Sequence, residues 1–214
     1  MPDPIVLQAP WWRIVLDVAT ALLTLIAVSV ALFGQAFRAK FFPPKLTLRL
    51  ADRLGEATRA RFDPPNAAPH VEDGRYYHLR VENRRRWSPA TDARVVLLQL
   101  EEPGPDGRWQ VRWTGNIPLQ WRHGDVLPIF RVIGPVTFAD LCSVVVTEGF
   151  RLHTLISPYV LHTVRPTATK LALTVQAHSA ESNSDPLRIE IAWDGGFHTG
   201  AQEMRQHLTV EVTN

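Results

Sequence analysis

Residues 76–102 read YYHLRVENRRRWSPATDARVVLLQLEE: a strand-like run, a turn carrying Asn83 and a basic cluster, then Pro89-Ala90 leading into a second strand-like run. Hydropathy alternates with a period of two on both sides of the turn, the mark of a half-buried strand. Working outward, the same period recurs in LTLRL at 46–50, YYHLRVE at 76–82, ARVVLLQL at 93–100 and RWQVRW at 108–113. It continues in FADLCSVVV at 138–146, KLALTVQA at 170–177, LRIEIAW at 187–193 and LTVEV at 208–212. The separators are Asp63-Pro64-Pro65-Asn66, Asp73-Gly74, Pro103 to Gly107, Asn183 to Pro186 and Asp194-Gly195-Gly196. Their residues supply positive φ, fixed φ or local side-chain hydrogen bonds, so they read as turns. Only Thr199 to His207 suggests a helical period. Many short strands with regular turns predict a mainly β domain over residues 46–214, an antiparallel two-layer β-sandwich rather than a closed barrel. A stretch of roughly 170 residues is ample for a core.

Upstream of this domain the pattern changes. Ile14 to Phe33, IVLDVATALLTLIAVSVALF, is a run of 20 residues whose only charge is Asp17. At about 1.5 Å per residue a helix of that length spans the roughly 30 Å hydrocarbon layer of a bilayer, so a transmembrane helix is expected over 14–37. A buried core helix would carry a polar stripe, whereas Thr20, Thr24 and Ser29 can bond back to the preceding turn. Trp11 and Trp12 before the run, and Phe37, Phe41 and Phe42 after it, suit the headgroup layer, and Pro43-Pro44 stops the helix within a basic, aromatic linker at 38–45. A cleaved signal peptide would begin with basic residues and leave through a small-residue site. Here the tail at 1–13 begins MPDPIVLQAP, and the run leaves through Arg38 and Lys40. Arg13 alone precedes the span, whereas Arg38, Lys40, Lys45, Arg49 and Arg53 follow it. The positive-inside bias therefore places the N-terminus outside and the β domain in the cytoplasm, at the inner (cytoplasmic) membrane.

Asp17 lies one turn inside the span. It can pair with Arg13 at i,i+4 and with the positive helix N-terminus, or it can contact a partner helix. Ala21, Thr24, Val28 and Ala31, spaced by three or four, are the small and polar residues expected along a helix–helix seam, with Leu22, Leu25 and Phe33 turned to lipid.

Lys and Arg total 23 against 21 Asp and Glu, for a formal net charge of +2. That is too small for counterion-driven binding, so nucleic acid is not expected as a partner. Cys142 is the one cysteine, which forbids an intrachain disulfide and agrees with a reducing compartment. Its setting in LCSVVV points to a buried, inert thiol. None of the 8 histidines has metal-ligand spacing; His123 with Asp125 comes nearest and reads better as a solvated turn. No phosphate-binding, dinucleotide or nucleophile-elbow string occurs, so neither cofactor nor metal is expected. Glu101, Glu102 and Asp194 lie at strand ends where glycosidase acids often sit, although Pro103 makes a hairpin rim the simpler account of the first two. Trp109, Trp113 and Trp121 invite a carbohydrate platform. Residues 109, 111 and 113 would share one face, which reads instead as core.

The V-x-N…P-A pattern carried by Val81, Asn83, Pro89 and Ala90 resembles immunoglobulin-like domains. FRAKFFPPKL and the RYYHLRV…RRWSPA block also resemble uncharacterised bacterial proteins with a single N-terminal span. That resemblance implies the architecture and a cytoplasmic location, and it implies no activity.

Arg84, Arg85, Arg86 and Trp87 form the densest charge, suited either to an anionic leaflet, at about 1 kcal/mol per basic residue, or to a solvated turn. The expected function is a non-enzymatic, membrane-anchored interaction or scaffold domain, an accessory subunit of a larger membrane complex such as a bioenergetic one. Its partners are the lipid bilayer and other membrane subunits. A membrane-tethered sensor of a small ligand is the alternative, and a membrane-bound hydrolase the third.

Overall fold

A computed structural model describes residues 11–62, 68, 70–122, 131–133, 135–157 and 161–213. The chain divides into two compact units, Met1–Pro43 and Pro44–Asn214. Among the described residues the first contains one helix, α1, Trp11–Phe41. Its stretch Trp11–Ala31 has a mean hydropathy of 2.4 and none of it is buried, so the helix is long and apolar enough to cross a membrane. Leu22, Leu23, Leu25, Ile26, Val30 and Phe33 are all more than half exposed. The Thr24 hydroxyl bonds back to the Thr20 carbonyl at 2.8 Å, as expected of a polar residue on an apolar helix. Arg13 lies over the Trp12 ring at 5.4 Å, and among the described residues no ion pair joins it to Asp17.

The second unit is mainly β. Its first sheet comprises β1 (Leu46–Leu50), β2 (Glu56–Phe62), β3 (His70–Asn83), β7 (Val136–Val145), β8 (Gly149–Leu152) and β9 (Val164–Arg165). The order is β1-β3-β7-β8-β9, with β2 beside β3. The second sheet comprises β4 (Ala90–Pro103), β5 (Trp109–Pro118), β6 (Arg131–Ile133), β10 (Thr169–His178), β11 (Leu187–Trp193) and β12 (Leu208–Thr213). The order there is β12-β11-β10-β4-β5, with β6 beside β4, and a short helix, α2 (Ala201–His207), leads into β12. Leu48, Tyr77, Leu79, Val81, Leu141 and Phe150 from the first sheet share one core with Val95, Leu97, Leu171, Leu173, Ile189 and Ile191 from the second. Each such side chain contributes about 1.5–3 kcal/mol on burial, so the alternation of the eight expected strands is what binds the two sheets.

Three expectations change. The strands β2, β6, β8 and β9 carry little periodic signal: EATRARF is an edge strand with charges through its length, and the others have four residues or fewer. Asp73-Gly74 is not a turn but the middle of β3, where Gly74 pairs with Thr58 on one side and Val145 on the other. A Cβ there would stand 3.1 Å from Val145, so glycine lets the strands close up. Trp109, Val111 and Trp113 do not share a core face. A bulge at Arg112 sets Trp113 opposite Leu100 but Val111 opposite Glu101, so Trp113 packs on the core while Val111 is 54% exposed. Trp109 turns outward beneath Lys170 and Arg188, whereas Trp121 is buried.

Candidate functional site

A second bulge assembles the most chemically equipped place on the β unit. On β7 the extra residue is Leu141, because Tyr77 pairs with Cys142 while the next residue of β3, His78, pairs with Asp140. Strict alternation would put Asp140 and Ser143 on opposite faces; the bulge puts both on the outer face. Two cross-strand rows result, Glu56–Tyr76–Ser143–Arg151 and, beside it, His78–Asp140.

His78 Nδ1 donates to Asp140 Oδ1 at 2.8 Å, leaving Nε2 facing Glu56 Oε2 at 3.7 Å. Glu56 Oε1 accepts from Arg122 Nη2 at 2.6 Å. Arg122 follows a short segment that runs along β7: its backbone N–H donates to the Phe138 carbonyl at 3.0 Å and its guanidinium lies 5.9 Å from the Phe138 ring. Arg122, Glu56, His78 and Asp140 thus form a chain over the outer face. Tyr76 stacks on His78 at 6.4 Å and on His153 at 5.2 Å. His153 Nε2 and Ser143 Oγ share a hydrogen bond of 2.8 Å beneath it. Burial pushes the His153 imidazole down to about 4, and burial followed by the Asp140 charge pushes the Tyr76 hydroxyl up. A protonated Tyr76, backed by the neutral His153 on which it stacks, lines a cleft of about 180 Å³ together with Glu56, Thr58, Arg59, His78, Arg122 and Asp140.

The sequence-derived candidates lie elsewhere. On α1, Asp17, Ala21, Thr24 and Val28 fall along one groove together with Thr20 and Leu25, and Leu25 is itself exposed. Ala31 is exposed and Lys40 is exposed, while the side chain of Arg38 lies outside the described residues. Arg84, Arg86 and Trp87 stand exposed on the turn after β3, with Arg85 half-buried. Asn83 builds that turn: Oδ1 accepts from the backbone N–H of Arg85 at 3.0 Å and of Lys45 at 3.3 Å, and Nδ2 donates to the Ser88 carbonyl at 2.7 Å.

The carboxylates weighed for hydrolysis are held apart in separate pairs. Glu101 bonds Arg188, Glu102 bonds Arg165 at 2.5 Å, and Asp194 faces His207 at 2.9 Å. Cys142 is fully buried, and burial raises its thiol. His123 and Asp125 lie outside the described residues. Among the described residues no three His, Cys, Asp or Glu side chains come together as metal ligands. None of the cleft residues stood out in the sequence. The only signal for them is LCS within an otherwise alternating strand, and its meaning depends on the bulge.

The class that fold and site define is a mainly β domain of two sheets preceded by one helix long and apolar enough to span a bilayer. No protein-family model matches the chain, and neither a curated protein nor a solved structure does.

Proposed function

We infer that this chain is a non-enzymatic, membrane-anchored interaction protein, an immunoglobulin-like sandwich held at the cytoplasmic face of the inner membrane as an accessory subunit of a larger membrane complex. The observation that carries this reading is the uneven surface of α1. Most of it is exposed Leu, Ile, Val and Phe, which lipid satisfies. One face instead presents Asp17, Thr20, Ala21 and Thr24 beside Leu25 and Val28 in a groove, and a carboxylate with small and polar residues is better satisfied by another helix than by acyl chains. The basic residues Lys40, Lys45, Arg49 and Arg53 after the helix support a cytoplasmic β unit, and the exposed Arg84-Arg86-Trp87 turn offers a salt-sensitive second contact.

Two measurements test it. A reporter fused after Asn214 should be active as a cytoplasmic reporter and silent as an exported one; export would reverse the topology. Affinity purification of the full chain in a gentle detergent should bring down a membrane subunit in stoichiometric amount, and its absence would contradict the accessory role. The cleft around His78 favours a second reading, in which the β unit senses a small ligand.

A further inference from the structure

We propose that the cleft between Arg122 and His78 binds the carboxylate of a small organic acid, and that Glu56 occupies this place in the free protein as an internal stand-in. The proposal rests on the ligand-binding reading of the cleft and is independent of how α1 associates.

The site already displays the chemistry it would recognise. The Glu56 carboxylate lies between the two side chains, with one oxygen accepting from Arg122 Nη2 at 2.6 Å and the other 3.7 Å from His78 Nε2. Both side chains are held without its help. Asp140 orients the His78 ring through Nδ1, and Arg122 is fixed by its backbone bond to Phe138 and by the ring beneath its guanidinium. Glu56 is the removable member: its side chain is 51% exposed on edge strand β2, against 25% for Arg122 and 10% for His78. An ion pair as exposed as this is worth at most about 1 kcal/mol, so a competing carboxylate displaces Glu56 into solvent at little cost. Arg122 then presents its fork to the ligand, the geometry in which guanidinium and carboxylate bond best.

Size sets the ligand class. A volume of about 180 Å³ holds roughly six waters, well below the 300 Å³ or more of pockets for drug-sized ligands, so an acid of a few carbon atoms fits. Charge agrees: Arg59, 3.8 Å from Asp73, adds a second cation to the lining beside Arg122, and with Glu56 displaced, Asp140 is the one acidic side chain left in the lining among the described residues.

The test uses the full chain in a neutral maltoside detergent at low salt, with acetate and succinate as probes and neutral succinamide as control. Calorimetry supplies the affinity, and the ¹⁵N signal of the His78 side chain supplies the location. At least one acid should bind at one site per chain and shift the His78 signal. Glu56→Gln, which removes the competing charge, should tighten binding up to about fivefold, and Arg122→Gln should weaken it about tenfold or more, with Arg122→Lys in between. Opposite signs in two variants of one ion pair are not what loss of folding produces. If neither acid binds the wild type or Glu56→Gln, or if Glu56→Gln and Arg122→Gln move affinity the same way, the proposal is overturned. Binding of succinamide at His78 without either acid would reject the carboxylate while keeping a ligand in the cleft; no binding by any probe would reject both.

Discussion

The guanidinium of Arg75, 3% exposed, donates from Nη2 to the Thr199 carbonyl at 2.6 Å, so a side chain of β3 is tied to the loop between β11 and α2, across the two sheets. Its Nη1 reaches the carbonyls of Leu54 and Gly55 at 3.0 and 3.1 Å. Its Nε has no partner among the described residues, so the three carbonyls are what hold this buried cation, and removing the side chain takes the donor from each of them. Arg75→Met should therefore destabilise the β unit by about 3 kcal/mol, read as a lower urea midpoint of the full chain. Arg75→Lys should recover only part of this, because an ammonium cannot span the same three acceptors; full recovery would mean that charge alone matters.

Asn83 should behave as the keystone of the basic turn. It is 2% exposed and bonds both edges of the turn, so Asn83→Ala should lower stability by about 2 kcal/mol. Asn83→Asp keeps the acceptor but loses the bond to the Ser88 carbonyl and should fall between. If Asn83→Ala unfolds at the wild-type midpoint, the turn is held by its backbone bonds alone.

These two residues mark where sequence reading succeeds and where it stops. The strands of the core were legible from two signals: RIEIA buries alternate side chains, while LALTV and VVLLQL are apolar runs whose consecutive residues Leu171 to Leu173 and Val95 to Leu97 are all buried in the central strands β10 and β4. Asn83 was legible as a turn residue. The cleft was not, since its residues come from β2, β3, β7 and the segment before residue 123, and they meet only because Leu141 is an extra residue in β7. A bulge adds one residue without changing composition, so the same letters FADLCSVVV serve a straight strand or a bent one. Arg112 defeated the tryptophan face in the same way. Arg75 gave no signal, because its partners are backbone carbonyls, which every residue possesses.

His153 predicts a pH dependence. Burial holds it near 4 in the folded chain, whereas the unfolded chain takes up the proton near the ordinary value of about 6.5. Between these values the unfolded state binds more protons, so stability falls as pH drops through the window, by about 3 kcal/mol in all, and is unaffected at neutral pH. His153→Gln retains a donor for Ser143 and cannot titrate, so its stability should fall less steeply between pH 6.5 and 4. Parallel profiles would show that the imidazole is reached by solvent.

Cys142 should resist thiol reagents. Full burial keeps it as the protonated thiol, so iodoacetamide should leave the folded chain unmodified over hours at pH 8 and label it fully in urea. Rapid labelling of the folded chain would require local opening of β7.

The groove on α1 carries the central claim, and co-purification of its variants tests it most directly. The full chain, Asp17→Asn, Asp17→Leu, and the triple change of Arg84, Arg85 and Arg86 to Gln are each purified in gentle detergent at low and high salt. A stoichiometric partner should be retained by Asp17→Asn, whose amide still hydrogen-bonds, and partly lost by Asp17→Leu. The triple variant should weaken at low salt the contact that the wild type loses at high salt. Equal recovery from all four proteins, or no partner at any ionic strength, would contradict an anchored interaction protein.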